Sequence, residues 1–290
     1  METNKVHKNV SLTKFNSWKV GGKAENFVIC SDISFLCQLI KNKKVQRPIK
    51  FIGLGSNILV RDNGVKGTTI VMHKGLNNFF KEEGLFYSEA GLSCSKFSKL
   101  IAKEGHSGSA FLSGIPGTIG GALAMNAGCY GSEIWSFVKK VKMINADGDL
   151  IERNPNDFKV GYRKIKKKNE AENFVGAWFF FPKGKKLEAE ESIRKLLSHR
   201  KSTQPLSWPS AGSTFKNPDN NHAAKLIEDC GLKGFKIGDA KISEKHANFI
   251  INLGAAKAKD IEDLIKHIKK IVFKETKIKL IPEVEIIGDV

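Results

Sequence analysis

Between Ser113 and Gly131 the chain reads SGIPGTIGGALAMNAGCYG, with glycine at positions 114, 117, 120, 121, 128 and 131. Six glycines in nineteen residues are too many for one turn, and each would weaken the interior of a helix or strand. What they permit is close approach, because backbone N–H groups uncovered by side chains can line a bulky, oxygen-rich ligand. The stretch therefore predicts a loop that wraps a phosphate-bearing cofactor.

The surrounding pattern restricts the fold. PIKFIGLGSNILVRDNGVKGTTIVMH (residues 48–73) reads as strand, Gly-rich turn, strand, Asn-Gly turn, strand. Its GLGSN turn opens like a dinucleotide fingerprint, but the third glycine is missing and a β-type segment follows where a Rossmann helix would start. No phosphate loop of the G-x-x-x-x-G-K-[ST] type is present. SKFSKLIAKEG (95–105) places Phe97, Leu100 and Ile101 on one helical face and ends at Gly105. Asp147-Gly148 predicts a hairpin between two alternating runs. Further on, 187–200 reads as a helix and KSTQPLSWPSAGSTFKNP as a boundary segment. The last module has the helix AAKLIEDCG stopped by Gly231, the strand-like ANFIINLG, a helix with Ile261, Leu264, Ile265, Ile268 and Val272 on one face, and a terminal strand in KLIPEVEIIG. The class predicted is α+β.

Composition narrows the setting. Apolar runs such as FVGAWFFFP (174–182) are strand-sized, below the roughly 20 residues that span a membrane. The polar start METNKVHKNVSLTKF has no secretory h-region, and the five cysteines (30, 37, 94, 129, 230) are odd in number and never C-x-x-C. A reducing cytoplasm is expected, with no membrane association. The seven histidines form no metal-ligand spacing, so no metal is expected. The formal charge of +18 has two readings: polyanionic partners, or a generally lysine-rich surface, since the lysines are spread through KNKK, KIKKK, KGKK and KHIKK.

Four segments together resemble the UDP-N-acetylenolpyruvoylglucosamine reductase family: GLGSNILVRD (53–62), the glycine stretch (113–131), PSAGSTFKNP (209–218) and IPEVEIIG (281–288). Further similarity runs through GYR (161–163), HRKSTQP (199–205) and residues 225–252, so it covers nearly the whole chain. The resemblance implies a vanillyl-alcohol-oxidase-type FAD-binding fold, with FAD-binding subdomains at 1–66 and 67–205 and a substrate domain at 206–290. The 50-residue separation of Arg163 from Ser213 resembles the shorter subtype, which lacks an extra loop carrying a tyrosine. Ile165 stands where members usually have serine.

By this resemblance, non-covalent FAD lies against Gly53, Gly55, Ser56, Asn57, Gly114, Ile115, Pro116, Gly117, Thr118, Gly120, Gly121, Asn126, Gly128 and Gly131. NADPH reduces it, and the enolpyruvyl ether of a UDP-sugar then receives hydride at its methylene carbon. Arg163 and Glu283 are implied as stabilisers of the charge that develops beside the carboxylate, and Ser213 as the proton donor. Lys216, Asn217, Arg200, Gln204 and Lys236 are implied as substrate ligands. Taken without the resemblance, Arg163 reads as a solvated charge beside KIKKK, Glu283 as a surface charge and Ser213 as a turn residue. An oxidase of the same fold would share the glycine stretch without needing AGSTFKNP. A nucleic-acid-binding protein is suggested by charge alone, and no helix-turn-helix, RNP or zinc pattern accompanies it. The partners expected are therefore small molecules, with no nucleic acid, acting on a monomer.

Overall fold

The computed structural model describes residues 1–290. By internal contact the chain forms two compact units, both discontinuous: one takes 1–8, 26–54 and 67–200, the other 9–25, 55–66 and 201–290.

The first unit is built on a five-stranded antiparallel sheet in the order Leu150–Arg153, Val138–Ile144, Asn173–Phe179, Leu85–Glu89, Phe79–Glu82. The expected hairpin sits at one edge, pairing Val141 with Arg153 and Ile144 with Leu150. Gly148 closes its turn at φ +85°, a left-handed conformation that glycine adopts without strain. Helix α1 (Ile33–Lys41) starts where the Asp32 carboxylate accepts the Phe35 N–H at 2.7 Å. Helix α2 (Cys94–Lys103) buries Phe97 and Ile101 completely, and Gly105 follows its end at φ +73°. The middle of the glycine stretch differs from the loop expected: Ile119–Met125 forms helix α3, with Thr118 as its N-cap. The helix tolerates adjacent glycines because Ile119, Ala122 and Leu123 bury its inner face in an aromatic core that includes Phe97, Phe111 and Phe179. Packing of this kind outweighs the propensity cost of about 1 kcal/mol per glycine. Helix α4 (Lys186–Thr203) turns Ala189 and Ile193 toward Ala102.

The second unit has its own core. Helix α6 (Ala258–Thr276) buries all five residues expected on its apolar face, Ile261, Leu264, Ile265, Ile268 and Val272, and packs on α5 (Ala223–Asp229). Its first turn is held from outside, since the Asp62 carboxylate accepts the N–H groups of Ala258 and Lys259 at 3.0 Å each. Trp18, fully buried, donates its indole N–H to the Ile250 carbonyl at 2.7 Å. A three-stranded antiparallel sheet (Lys236–Ile237, Ala240–Ile242, Ile250–Asn252) lies beside α6. Ile58–Val60 and Glu285–Ile287 pair in parallel, which brings the GLGSN turn next to the IPEVEIIG segment.

Candidate functional site

In the first unit, the glycine stretch is pinned along its length. Gly117 accepts from the Cys94 N–H at 2.9 Å, Ile119 donates to Leu92 at 2.9 Å and Gly120 to Ala90 at 2.8 Å. Thr118 Oγ1 accepts the Gly121 N–H at 3.4 Å. A Cβ on Gly53 would stand 2.3 Å from that same hydroxyl, so the Thr118 side chain leaves room only for glycine at 53. The Gly53 carbonyl is bonded to His73 Nδ1 at 2.9 Å, and burial pushes the His73 pKa down, so this imidazole is neutral at pH 7. His73 carried no signal in the sequence.

The glycines themselves divide. Gly120 is buried, and a Cβ there would meet the Ala90 methyl at 2.8 Å, whereas Gly121 is exposed with nothing nearer than 3.7 Å. Gly128 is buried in the short hairpin of Gly128–Cys129 with Ser132–Glu133, its Cβ position 2.3 Å from the Ser132 carbonyl. Gly114 has open space to 3.4 Å, and Gly131, at φ +79°, has none of the chain within 4 Å. Pro116, Gly121 and Gly131 are the exposed members of the set, while Ile115 is half-buried. Asn126 ends α3 in the left-handed conformation and is fully buried. Its amide donates to Glu133 at 2.7 Å and to Gly161 at 3.1 Å, so any part it plays toward a cofactor runs through the turn it makes.

Arg163 is not the solvated charge its KIKKK neighbourhood suggests. It sits at the tip of the Lys159–Gly161/Lys164–Lys166 hairpin at φ +51°, a region that costs a non-glycine residue about 1 kcal/mol or more. Its guanidinium donates to the carbonyls of Asn126, at 3.2 Å, and of Gly128. The arginine thereby braces the far end of the glycine stretch. The charges of Arg163 and Arg200 both act on the Cys129 thiol, yet burial outweighs them and pushes its pKa up to about 11, so it is a neutral thiol bonded to the Phe111 carbonyl. Arg200 is itself shifted down by burial.

In the second unit, Ser213 and Glu283 lie on paired segments. The Glu283 N–H donates to the Thr214 carbonyl at 2.8 Å and the Lys216 N–H to Ile281 at 2.9 Å. Asn57, from the GLGSN turn, donates its amide to the Glu283 carbonyl at 3.1 Å and accepts the Glu285 N–H at 2.9 Å. Gly55 adopts φ +64°, and a Cβ there would strike the Phe15 carbonyl at 2.1 Å, which fixes this turn as glycine-only. Asn217 is engaged locally, its Oδ1 accepting the first N–H of α5 at 3.1 Å. Gln204 lines a cavity of about 410 Å³ with Lys201, Trp208, Lys241 and Lys245, whereas Lys216 and Lys236 lie outside that lining.

Similarity to known proteins coincides with these two regions. An "FAD binding domain" family matches residues 26–154, the segment that holds the whole glycine stretch. The chain is thus a flavoprotein of the α+β class. A second family, "UDP-N-acetylenolpyruvoylglucosamine reductase, C-terminal domain", matches residues 204–287. Reductases of that name from Nitrosomonas eutropha and Nitrosospira multiformis are 46% and 42% identical, covering 94% and 96% of this chain and 85% and 87% of theirs. The crystal structure of UDP-N-acetylenolpyruvylglucosamine reductase from Thermus caldophilus superposes with a TM-score of 0.84 at 31% identity, covering 98% of this chain and 99% of that one. The chain belongs to the UDP-N-acetylenolpyruvoylglucosamine reductase family.

Proposed function

We propose that this protein reduces UDP-N-acetylglucosamine enolpyruvate to UDP-N-acetylmuramate in peptidoglycan precursor synthesis, with FAD as bound cofactor and NADPH as reductant. Family membership supports the reaction; the observation that carries the chemistry is the pairing of the Ser213 segment with the Glu283 segment through the Glu283–Thr214 hydrogen bond. The residues fit FAD: Gly121 and Gly131 are exposed and Gly114 half-buried, and a Cβ at any of the three would meet no atom of the chain closer than 3.4 Å, so their backbone lies open to a ligand.

Gly53, Gly55, Ser56 and Asn57 and the stretch from Gly114 to Gly131 would hold the cofactor non-covalently, with 1–66 and 67–205 as its subdomains and 206–290 receiving substrate. When bound, FAD supplies hydride transfer, taken from NADPH and delivered to the enolpyruvyl methylene carbon. The carbon next to the carboxylate then carries the electron pair, which spreads into the carboxylate oxygens. The Arg163 guanidinium, held by the Asn126 and Gly128 carbonyls, lends its positive charge to that electron pair, and Glu283 supports it from the substrate domain. Ser213 Oγ gives its proton to the electron-rich carbon, completing the lactyl ether. Lys216, Asn217, Arg200, Gln204 and Lys236 serve the UDP-sugar. No helix is long and apolar enough to cross a membrane, and we take the enzyme to act as a cytoplasmic monomer on small molecules alone.

Two measurements test this reading. The purified protein should show a flavin absorbance spectrum released by denaturation; a colourless protein that cannot take up FAD would sink the proposal. In stopped-flow absorbance, Ser213→Ala should accept hydride from NADPH at the wild-type rate, because no carbon is protonated in that half. Reoxidation by the enolpyruvyl substrate should slow on the order of 10²–10⁴-fold. Equal slowing of both halves would make Ser213 structural.

A further inference from the structure

Asn248 lies in EKHANFIIN, a segment with no role in the chemistry above, and is only 3% exposed. Its side chain behaves as a missing peptide unit. Oδ1 accepts the Phe215 N–H at 2.9 Å while Nδ2 donates to the Phe215 carbonyl at 2.8 Å. Its own carbonyl accepts the Thr214 N–H at 2.8 Å. The opposite edge of the same short segment is bonded to Glu283 and Ile281, and Phe215 bridges Pro282. Residues 214–216 are therefore clamped on both edges, immediately after Ser213.

A strand supplying only backbone bonds could slip its register, since each peptide resembles the next. A side-chain amide gripping both polar atoms of one residue admits a single register. We propose that Asn248 is a positioning residue for proton transfer: its bidentate grip on Phe215 sets where the Ser213 hydroxyl stands relative to Glu283. This rests on Ser213 being the proton donor. A primary amide offers a coplanar donor and acceptor without titrating, and Gln would place them one methylene too far out.

The test uses FAD-loaded enzyme in the two half-reactions. Asn248→Ala should slow reoxidation by the enolpyruvyl substrate on the order of 10–100-fold, the usual cost of misplacing a reacting group by about an ångström. FAD content and reduction by NADPH should stay at the wild-type level. In a Ser213→Ala background the same change should add no further slowing, because the group being placed is gone. Asn248→Asp keeps the side-chain volume, which guards against simple misfolding. At high pH its carboxylate repels the Phe215 carbonyl, and relative to wild type at each pH its reoxidation rate should recover as acid restores a donor. Independently of turnover, amide exchange in the peptide containing Phe215 should accelerate at least tenfold, on the order of one lost buried hydrogen bond, in Asn248→Ala without FAD.

Unchanged reoxidation in Asn248→Ala, multiplicative slowing in the double variant, or unchanged Phe215 exchange would each overturn the proposal. Undiminished reoxidation in Ser213→Ala alone would instead sink the donor assignment, and this role with it.

Discussion

Gly120 and Gly121 are neighbours on α3 that should respond in opposite ways to a side chain. A Cβ on Gly120 would sit 2.8 Å from the Ala90 methyl and 3.1 Å from the Ala90 carbonyl, which also accepts the Gly120 N–H. Ala90 is fully buried and cannot retreat. Overpacking of a filled site costs about 1–3 kcal/mol, and a β-branched residue recovers little helix propensity in return. Gly120→Val should therefore destabilise the apo-protein by about 2 kcal/mol, lowering its melting temperature by ~4–8 °C for a unit of this size. Gly121 is exposed with only the Thr118 hydroxyl nearby, at 3.7 Å. Gly121→Ala should raise apo stability by up to about 1 kcal/mol. If FAD lies on that face, it should also weaken FAD binding on the order of tenfold or more, which is about 1.4 kcal/mol. Thermal unfolding of apo-protein by circular dichroism and titration with FAD by fluorescence quenching read both quantities. Wild-type FAD affinity in Gly121→Ala would remove the exposed face of α3 from the cofactor site. Lost affinity in Gly120→Val at unchanged apo stability would reverse the two assignments.

That pair also marks where the sequence stops being informative. GTIGGALAMN gives no way to tell which glycine faces a neighbour, because the distinction depends on Ala90, thirty positions away. For the same reason the stretch reads as a loop throughout, although a Thr118 cap and three buried apolar residues fold its middle into a helix. Elements whose evidence is local were legible: the Asp147-Gly148 hairpin, the apolar face of α6, and the glycines after α2 and α5 at φ +73° and +70°. Arg163 shows the opposite limit. Beside KIKKK it looks like one more solvated cation, and only the fold brings the carbonyls of Asn126 and Gly128 to its guanidinium. The two compact units were likewise hidden, because residues 9–25 and 55–66 join 201–290 through long-range packing such as Trp18 on Ile250.

Arg163→Lys keeps the charge but offers one compact ammonium where two carbonyls are now bonded. Turnover should fall at least about tenfold with FAD content intact, and unchanged steady-state kinetics would show the brace to be dispensable. Trp18→Phe leaves the Ile250 carbonyl without its 2.7 Å donor in a fully buried position. The loss should be about 1–3 kcal/mol, seen as a lower urea midpoint at constant m; an unmoved midpoint would refute it. The Arg61–Glu262 pair gives a pH test. Arg61 donates to both Glu262 oxygens, at 2.9 and 3.1 Å, and these bonds hold the Glu262 carboxyl below the usual glutamate range, outweighing its partial burial. A pKa depressed in the folded state means the unfolded chain takes up the proton first as pH falls. The pair's contribution is therefore fully present above the unfolded pKa of about 4.3 and is lost as pH drops through the lower folded value. Glu262→Gln should accordingly be less stable than wild type at pH 7, and the gap should close on acidification. Urea unfolding of both proteins across that range measures it. A gap that does not change with pH would mean that Glu262 acts through packing and neutral hydrogen bonding, with the charge on Arg61 contributing nothing.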